Sequence, residues 1–222
     1  MGVPVLTIDG PSGSGKGTIA ALVAEKLGWA LLDSGALYRI VAAVALERGM
    51  DLDDADGLAE MAAGLEINFD EGRAMVDGAD LTDLIRTEPV SAASSKVSAL
   101  EPVRAAILDL QRNMRRPPGL VADGRDMGTV VFKDAQLKVY LDASAEIRAE
   151  RRYNQLKNKG LDVNFRALLA SLEERDARDK ARAVSPLVPA EDALIIDSTN
   201  LSIEEVLEKV LSEVEARQLI NK

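Results

Sequence analysis

The residues best placed to do chemistry form one run, Gly10-Pro11-Ser12-Gly13-Ser14-Gly15-Lys16-Gly17-Thr18, which fits the G-x-x-x-x-G-K pattern of a phosphate-cradling loop. Val3 to Ile8 before it is apolar and largely β-branched. Lys16 to Leu27 after it repeats apolar residues at helical spacing through Ile19, Leu22, Val23 and Leu27, so the context reads strand, glycine loop, helix. Glycines let backbone N–H groups wrap a phosphate, the helix start adds partial positive charge, and the Lys16 ammonium can reach terminal phosphates. A flexible Gly-Ser turn is the plainer alternative, but a turn does not require Lys directly after its last glycine. Nucleotide binding is therefore the expected chemistry. Gly17 stands where many such loops carry the hydroxyl that holds magnesium, and the hydroxyl arrives one residue later as Thr18. The chain has no Asn-Lys-x-Asp string, which a guanine-reading GTPase would carry.

Two further clusters follow predicted strands: Leu31-Leu-Asp33-Ser34-Gly35-Ala-Leu-Tyr38-Arg39 and Ala122-Asp123-Gly124-Arg125-Asp126-Met-Gly128-Thr-Val-Val. Ligands of an open parallel sheet bind beyond the carboxyl ends of its strands, so both clusters and the loop are expected to face one crevice. Taken alone, either cluster could be a helix cap or a structural ion pair. A third charged set lies on a stripe, because Leu168, Leu172, Arg175, Asp179 and Arg182 step by four, three, four and three. A stripe that runs from apolar into charged residues suits a polar cleft, although a surface i,i+4 pair of Arg175 with Asp179 would have the same spacing.

The elements that must carry these groups are short. Apolar segments at Ala30 to Leu32, Leu120 to Ala122, Leu137 to Leu141 and Leu194 to Ile196 read as buried strands. Helical patterns separate them, as in Val103, Ile107, Leu110, Met114 and in Ile203, Val206, Leu207, Val210, Leu211, Val214 after the start signal Asn200 to Ser202. Strands alternating with helices imply an α/β, doubly wound parallel sheet. From Leu65 to Leu84 the alternation breaks into short strands with turn signals at Asp70-Glu71-Gly72 and Asp77-Gly78, read as a small antiparallel insert. A length of 222 residues suits one larger domain, or a core with small excursions.

Composition narrows the chemistry further. With no cysteine and no histidine, disulfides, the usual zinc sites and Ser-His-Asp or Cys-His nucleophiles are excluded. Net charge is −10, and residues 47–83 account for it, with twelve acids against Arg48 and Arg73. The rest of the chain is balanced, leaving arginines for an anionic small molecule. That balance, with 3% aromatic residues, disfavours nonspecific nucleic-acid binding. The longest apolar run, Ile40 to Leu46, is far short of the roughly 18 residues needed to cross a bilayer, and the N-terminus has no basic residue before Lys16. A cytoplasmic protein with no membrane or nucleic-acid partner is expected.

The strings GPSGSGKGT, LLDSGALYR, ADGRDMGTVVF and ERDARDKARAVSPL closely resemble those of bacterial cytidylate kinases, over nearly the whole chain. The insert also looks like the bacterial form rather than the shorter eukaryotic UMP/CMP kinases. The resemblance implies a P-loop fold with five parallel strands, an acceptor-binding segment at about 34–100 with the insert at about 64–85, and a helical lid at about 148–165. It implies transfer of the γ-phosphoryl of ATP to CMP or dCMP with Mg2+; a monomer is expected. Gly10 to Thr18 would hold ATP, with Lys16, Arg125, Arg152 and Arg175 the catalytic cations. Arg39 and Arg125 would grip the CMP phosphate, and Ser95, Arg104 and Asp126 would read the cytosine. Ser34 and Asp123 would line the pocket, while Arg175, Asp179 and Arg182 would lie near sugar and phosphate. Arg148, Arg151 and Arg152 open the lid helix, where they would cancel charge and help to expel water. Histidine is dispensable for this reaction, because the acceptor is a phosphate oxygen already ionised at pH 7. The alternatives are another nucleoside monophosphate kinase, acting on UMP or AMP, and a nonenzymatic nucleotide-binding module, which would lack an acceptor cluster.

Overall fold

A computed structural model describes residues 2–70, 73–158 and 160–220, and it divides into two compact units, residues 1–32 with 114–222 and residues 33–113. The first unit is built on a five-stranded parallel sheet of β1 (Val5–Asp9), β2 (Ala30–Asp33), β6 (Leu120–Gly124), β7 (Leu137–Asp142) and β8 (Leu194–Asp197). The spatial order is β2-β6-β1-β7-β8, with β1 central. Every residue of β1 and β6 is buried, as their continuous apolar runs require when helices cover both faces. Each strand ends one or two residues later than its apolar segment, at Asp9, Asp33, Gly124, Asp142 and Asp197, so the boundary read from hydrophobicity omits the polar residue that leaves the sheet.

The helices of this unit are α1 (Lys16–Leu27), α6 (Ala145–Asn158), α7 (Phe165–Lys180) and α8 (Ile203–Ala216). One core joins Leu6 and Ile8 of β1, Val139 and Leu141 of β7, Ile19 and Val23 of α1, and Val206, Val210 and Val214 of α8. Ser202 starts α8 with a full capping box, its hydroxyl accepting from the Glu205 N–H while the Glu205 carboxylate accepts from the Ser202 N–H.

The second unit contains α2 (Ser34–Glu47), α3 (Ala55–Ala63), α4 (Glu88–Val97) and α5 (Glu101–Asn113). Here α2 packs on α4 and α3 on α5. The antiparallel insert is a three-stranded sheet of β3 (Ile67–Asp70), β4 (Arg73–Val76) and β5 (Ala79–Asp80), with Ile67 opposite Val76 and Val76 opposite Ala79. Asp77 and Gly78, at φ 48° and 82°, make the tight turn their residue types call for. The other turn signal includes Glu71 and Gly72, which lie outside the described residues. The stripe expected on α5 is corrected in its second half. Val103 and Ile107 are buried, but Gln111 takes the next inward position, whereas Leu110 and Met114 are half-buried. Gln111 is stable there because its amide donates to Ser34 Oγ at 3.1 Å.

Candidate active site

The phosphate loop leaves β1 at Asp9 and enters α1 at Lys16. Gly15 precedes the helix at φ 92°, a conformation that costs glycine little, and a Cβ on Gly10 would fall 2.1 Å from the carbonyl oxygen of Leu141. Three cations bind the loop's carbonyls: Lys16 Nζ that of Pro11 at 3.2 Å, Arg148 Nη1 that of Ser12 at 2.9 Å, and Arg151 Nη1 that of Ser14 at 3.1 Å. Arg151 also donates to the Ser198 hydroxyl and carbonyl beyond β8. Arg148 and Arg151, at the start of the expected lid helix, are thus both engaged with the loop. Arg152 donates to Gln155 Oε1 within its own helix.

Beside the loop, β6 carries the Asp123 to Asp126 cluster in parallel register with β1, Ile8 facing Asp123 and Asp9 facing Gly124. A Cβ on Gly17 would come within 3.1 Å of Asp123 Oδ2, so this carboxylate abuts the first turn of α1. Asp9 is a functional candidate that the motif search passed over. Its two oxygens accept from the N–H groups of Met127 and Gly128, each at 2.8 Å, at the start of a π-helical turn, Met127–Val131. Complete burial pushes its carboxyl up to about 7; the two amides oppose that rise, and the charges of Asp126 and Asp123 add to it. The only signal for Asp9 in the sequence is an acid at the end of an otherwise apolar strand.

Helix α7 and the residues after it hold the second charged centre. Asp179 is 1% exposed and accepts from Arg125 Nε at 3.0 Å and from Arg182 Nη2. Burial alone would raise its carboxyl, but Arg125, Arg182 and Arg175 together outweigh it and hold it below the ordinary carboxylate value. The surface Arg175–Asp179 pair is therefore excluded as the explanation of this stripe. The stripe itself is shifted: Leu172, Asp176 and Asp179 are buried, Arg175 is half-buried, and Arg182 lies past the helix end at Lys180. Asp176, another residue missed from sequence, binds Arg148 Nη2 at 2.6 Å.

In the second unit, Asp33 caps α2 through Ala36 N–H at 2.9 Å and binds Arg39 Nη2 at 2.8 Å. Arg104 donates to the Ser98 carbonyl at 2.9 Å and lies 5.5 Å from the centre of the Tyr38 ring. The Ser95 hydroxyl oxygen is buried without a hydrogen-bond partner. These contacts bring Ser34 together with Gln111, and Arg104 with Tyr38, inside one helical unit. Among the described residues, no cluster of three or more acidic side chains is arranged to hold a metal ion, and no helix is long and apolar enough to cross a membrane.

The comparisons fit this geometry. The sequence profile of the cytidylate kinases matches residues 6–216, which spans the loop, the Asp123 to Asp126 cluster and α7. A cytidylate kinase of Stutzerimonas stutzeri (strain A1501) is 58% identical over 223 residues, covering 98% of this chain and 97% of that protein. Those of Aeromonas salmonicida (strain A449) and Pseudomonas aeruginosa (strain UCBPP-PA14) are each 55% identical, covering 96% of this chain and 94% and 96% of their own. A chain that matches from β1 to the end of α8, and that builds its loop from Gly10 to Thr18, belongs to the cytidylate kinase family.

Proposed function

We propose that the protein transfers the γ-phosphoryl group of ATP to CMP or dCMP, releasing ADP and CDP or dCDP. The observation that carries this reading is Asp179 among its arginines, one chain segment away from a phosphate loop: Arg148 binds Ser12 of the loop and Asp176 of α7. A module that only bound ATP would have no use for a second buried, arginine-rich centre.

The loop amides and Lys16 hold the donor phosphates. Arg39 and Arg125 take the acceptor phosphate, and Ser95, Arg104 and Asp126 read the cytosine, with Asp126 accepting from the exocyclic amine. The buried, unpartnered Ser95 hydroxyl suits a group whose partner arrives with the substrate. Asp179, kept ionised, accepts from sugar hydroxyls, with Ser34 and Asp123 lining the pocket. No general base is required, because the attacking phosphate oxygen is already an anion. The catalytic work is alignment and neutralisation of charge on the transferring group by Lys16, Arg125, Arg152 and Arg175. When bound, magnesium would supply positive charge against the donor phosphates. The donor set suits it, since this ion takes one or two carboxylates plus phosphates and water; Asp123, against the first turn of α1, and Thr18 are the groups that would hold it. The segment 148–165 acts as the lid, and the protein works as a monomer in the cytoplasm.

The test is ADP release by the purified chain, coupled to a spectrophotometric readout. Release that depends on added CMP or dCMP is expected. A nucleotide-binding module would release ADP at the same negligible rate with and without an acceptor.

A further inference from the structure

We infer that the Arg148–Asp176 pair is a positioning device for the ATP loop, so that Asp176, which neighbours Arg175 on α7, acts on the donor and not on the acceptor. The inference rests on the reading of Gly10 to Thr18 as the ATP phosphate site.

Arg148 is buried, and its guanidinium spans three chain segments. Nε donates to the Ala143 carbonyl at 2.9 Å, Nη1 to the Ser12 carbonyl at 2.9 Å, and Nη2 to Asp176 Oδ2 at 2.6 Å. In a trans peptide the carbonyl and the following N–H point in opposite directions. Holding the Ser12 carbonyl toward Arg148 therefore turns the Gly13 N–H away from it. Gly13 has φ 78°, and a Cβ there would lie 3.1 Å from the Arg148 Cβ, so α6 and the loop are in direct backbone-level contact. A phosphate placed in the loop needs N–H groups aimed inward and no competing carbonyls. Arg148 supplies that orientation at the Ser12–Gly13 peptide.

Arginine is needed because three acceptors diverge around it, and a lysine ammonium is a single point on a flexible stem. Such a guanidinium keeps its orientation only if its charge is met. Asp176 meets it, buried on the inward stripe of α7 between Leu172 and Asp179. Asp176 thus reaches the loop through Arg148, while Asp179, three residues on, is occupied by Arg125 and Arg182. Neighbouring carboxylates on one helix face serve different substrates.

The experiment is calorimetric titration of the whole chain with ATP and magnesium in the absence of acceptor, and separately with CMP, for wild type, Asp176→Asn and Arg148→Lys. Asp176→Asn preserves side-chain size but removes the charge; it should weaken ATP binding roughly tenfold, about what one charge-assisted bond to an orienting group is worth, and leave CMP within twofold. Arg148→Lys keeps a cation opposite Asp176 but loses the bond to Ser12, and should weaken ATP to a similar extent. It also provides the answer if Asp176→Asn does not fold. Wild-type ATP affinity in the folded variants, or a loss on CMP as large as that on ATP, would overturn the inference. The ATP comparison stands even if the wild type binds no CMP, so failure of the acceptor reading is distinguishable from failure of this one.

Discussion

Asp179 and Asp9 are both buried carboxyls, yet their surroundings drive them in opposite directions. Asp179 faces arginines and is held low, so it adds stability above the ordinary carboxylate pKa, and that stability is lost only as pH falls through its depressed value. It is ionised throughout the neutral range, which suits its proposed role as an acceptor from sugar hydroxyls. Asp179→Ala should raise the acceptor Michaelis constant and leave that for ATP nearly constant, because ground-state contacts are lost on one substrate only. The rise should be larger for CMP than for dCMP, which lacks the 2′-hydroxyl. Steady-state kinetics with both acceptors checks this; an equal, negligible change would reduce Asp179 to a structural partner of Arg125 and Arg182. Lys16 gives the complementary case on the donor side. Its ammonium binds the loop's own Pro11 carbonyl at 3.2 Å, so Lys16→Ala should keep native circular dichroism. Turnover should fall on the order of 100- to 1000-fold, the cost of removing one donor to developing charge.

At the scale of elements, Asp9 ties the end of β1 to the turn that follows Asp126. Its folded carboxyl sits near 7 against an ordinary value of 3.8. The folded state therefore holds a proton that the unfolded chain releases; the associated stability is full below about 4 and is lost as pH rises toward 7. Urea midpoints of the wild type should accordingly decline between pH 5 and 7.5. Asp9→Asn should flatten that decline while lowering the midpoint at pH 5, because its NH2 group meets a backbone N–H where an acceptor stood. A wild-type decline that the variant reproduces in full would exclude Asp9 as its source. The same element shows what a sequence reveals and what it hides. Strands β1, β6 and β7 are legible from continuous apolar runs, the loop from its glycine spacing, and α8 from its stripe and its start signal at Asn200 to Ser202. Asp176 and Gln111 are not, since hydrophobic periodicity selects apolar residues for inward positions. A buried polar residue is recognised only by the partner it meets, Arg148 in one case and Ser34 in the other. On α7 the spacing from Leu168 and Leu172 extends the stripe to Arg175, where the helix buries its neighbour Asp176.

Across the whole molecule the acidic excess is confined to residues 47–83, inside the second unit, and the remaining chain is balanced. Arg125, Arg175 and Arg182, the cations around Asp179, all lie outside that acidic segment. Membership of the cytidylate kinase family, the loop and the Asp179 centre agree on phosphoryl transfer to a monophosphate, and the remaining question is which base is read. In the proposed site pyrimidine discrimination rests on the cytosine amine: with UMP, Asp126 would face a carbonyl oxygen and not a donor, a mismatch worth roughly 1 to 3 kcal/mol. The decisive measurement is kcat/KM for CMP, dCMP, UMP and AMP at saturating ATP and magnesium. The account predicts the highest values for CMP and dCMP, with UMP lower by at least about tenfold and AMP lower still. Comparable or greater kcat/KM for UMP or AMP, or no turnover with any of the four, would contradict it.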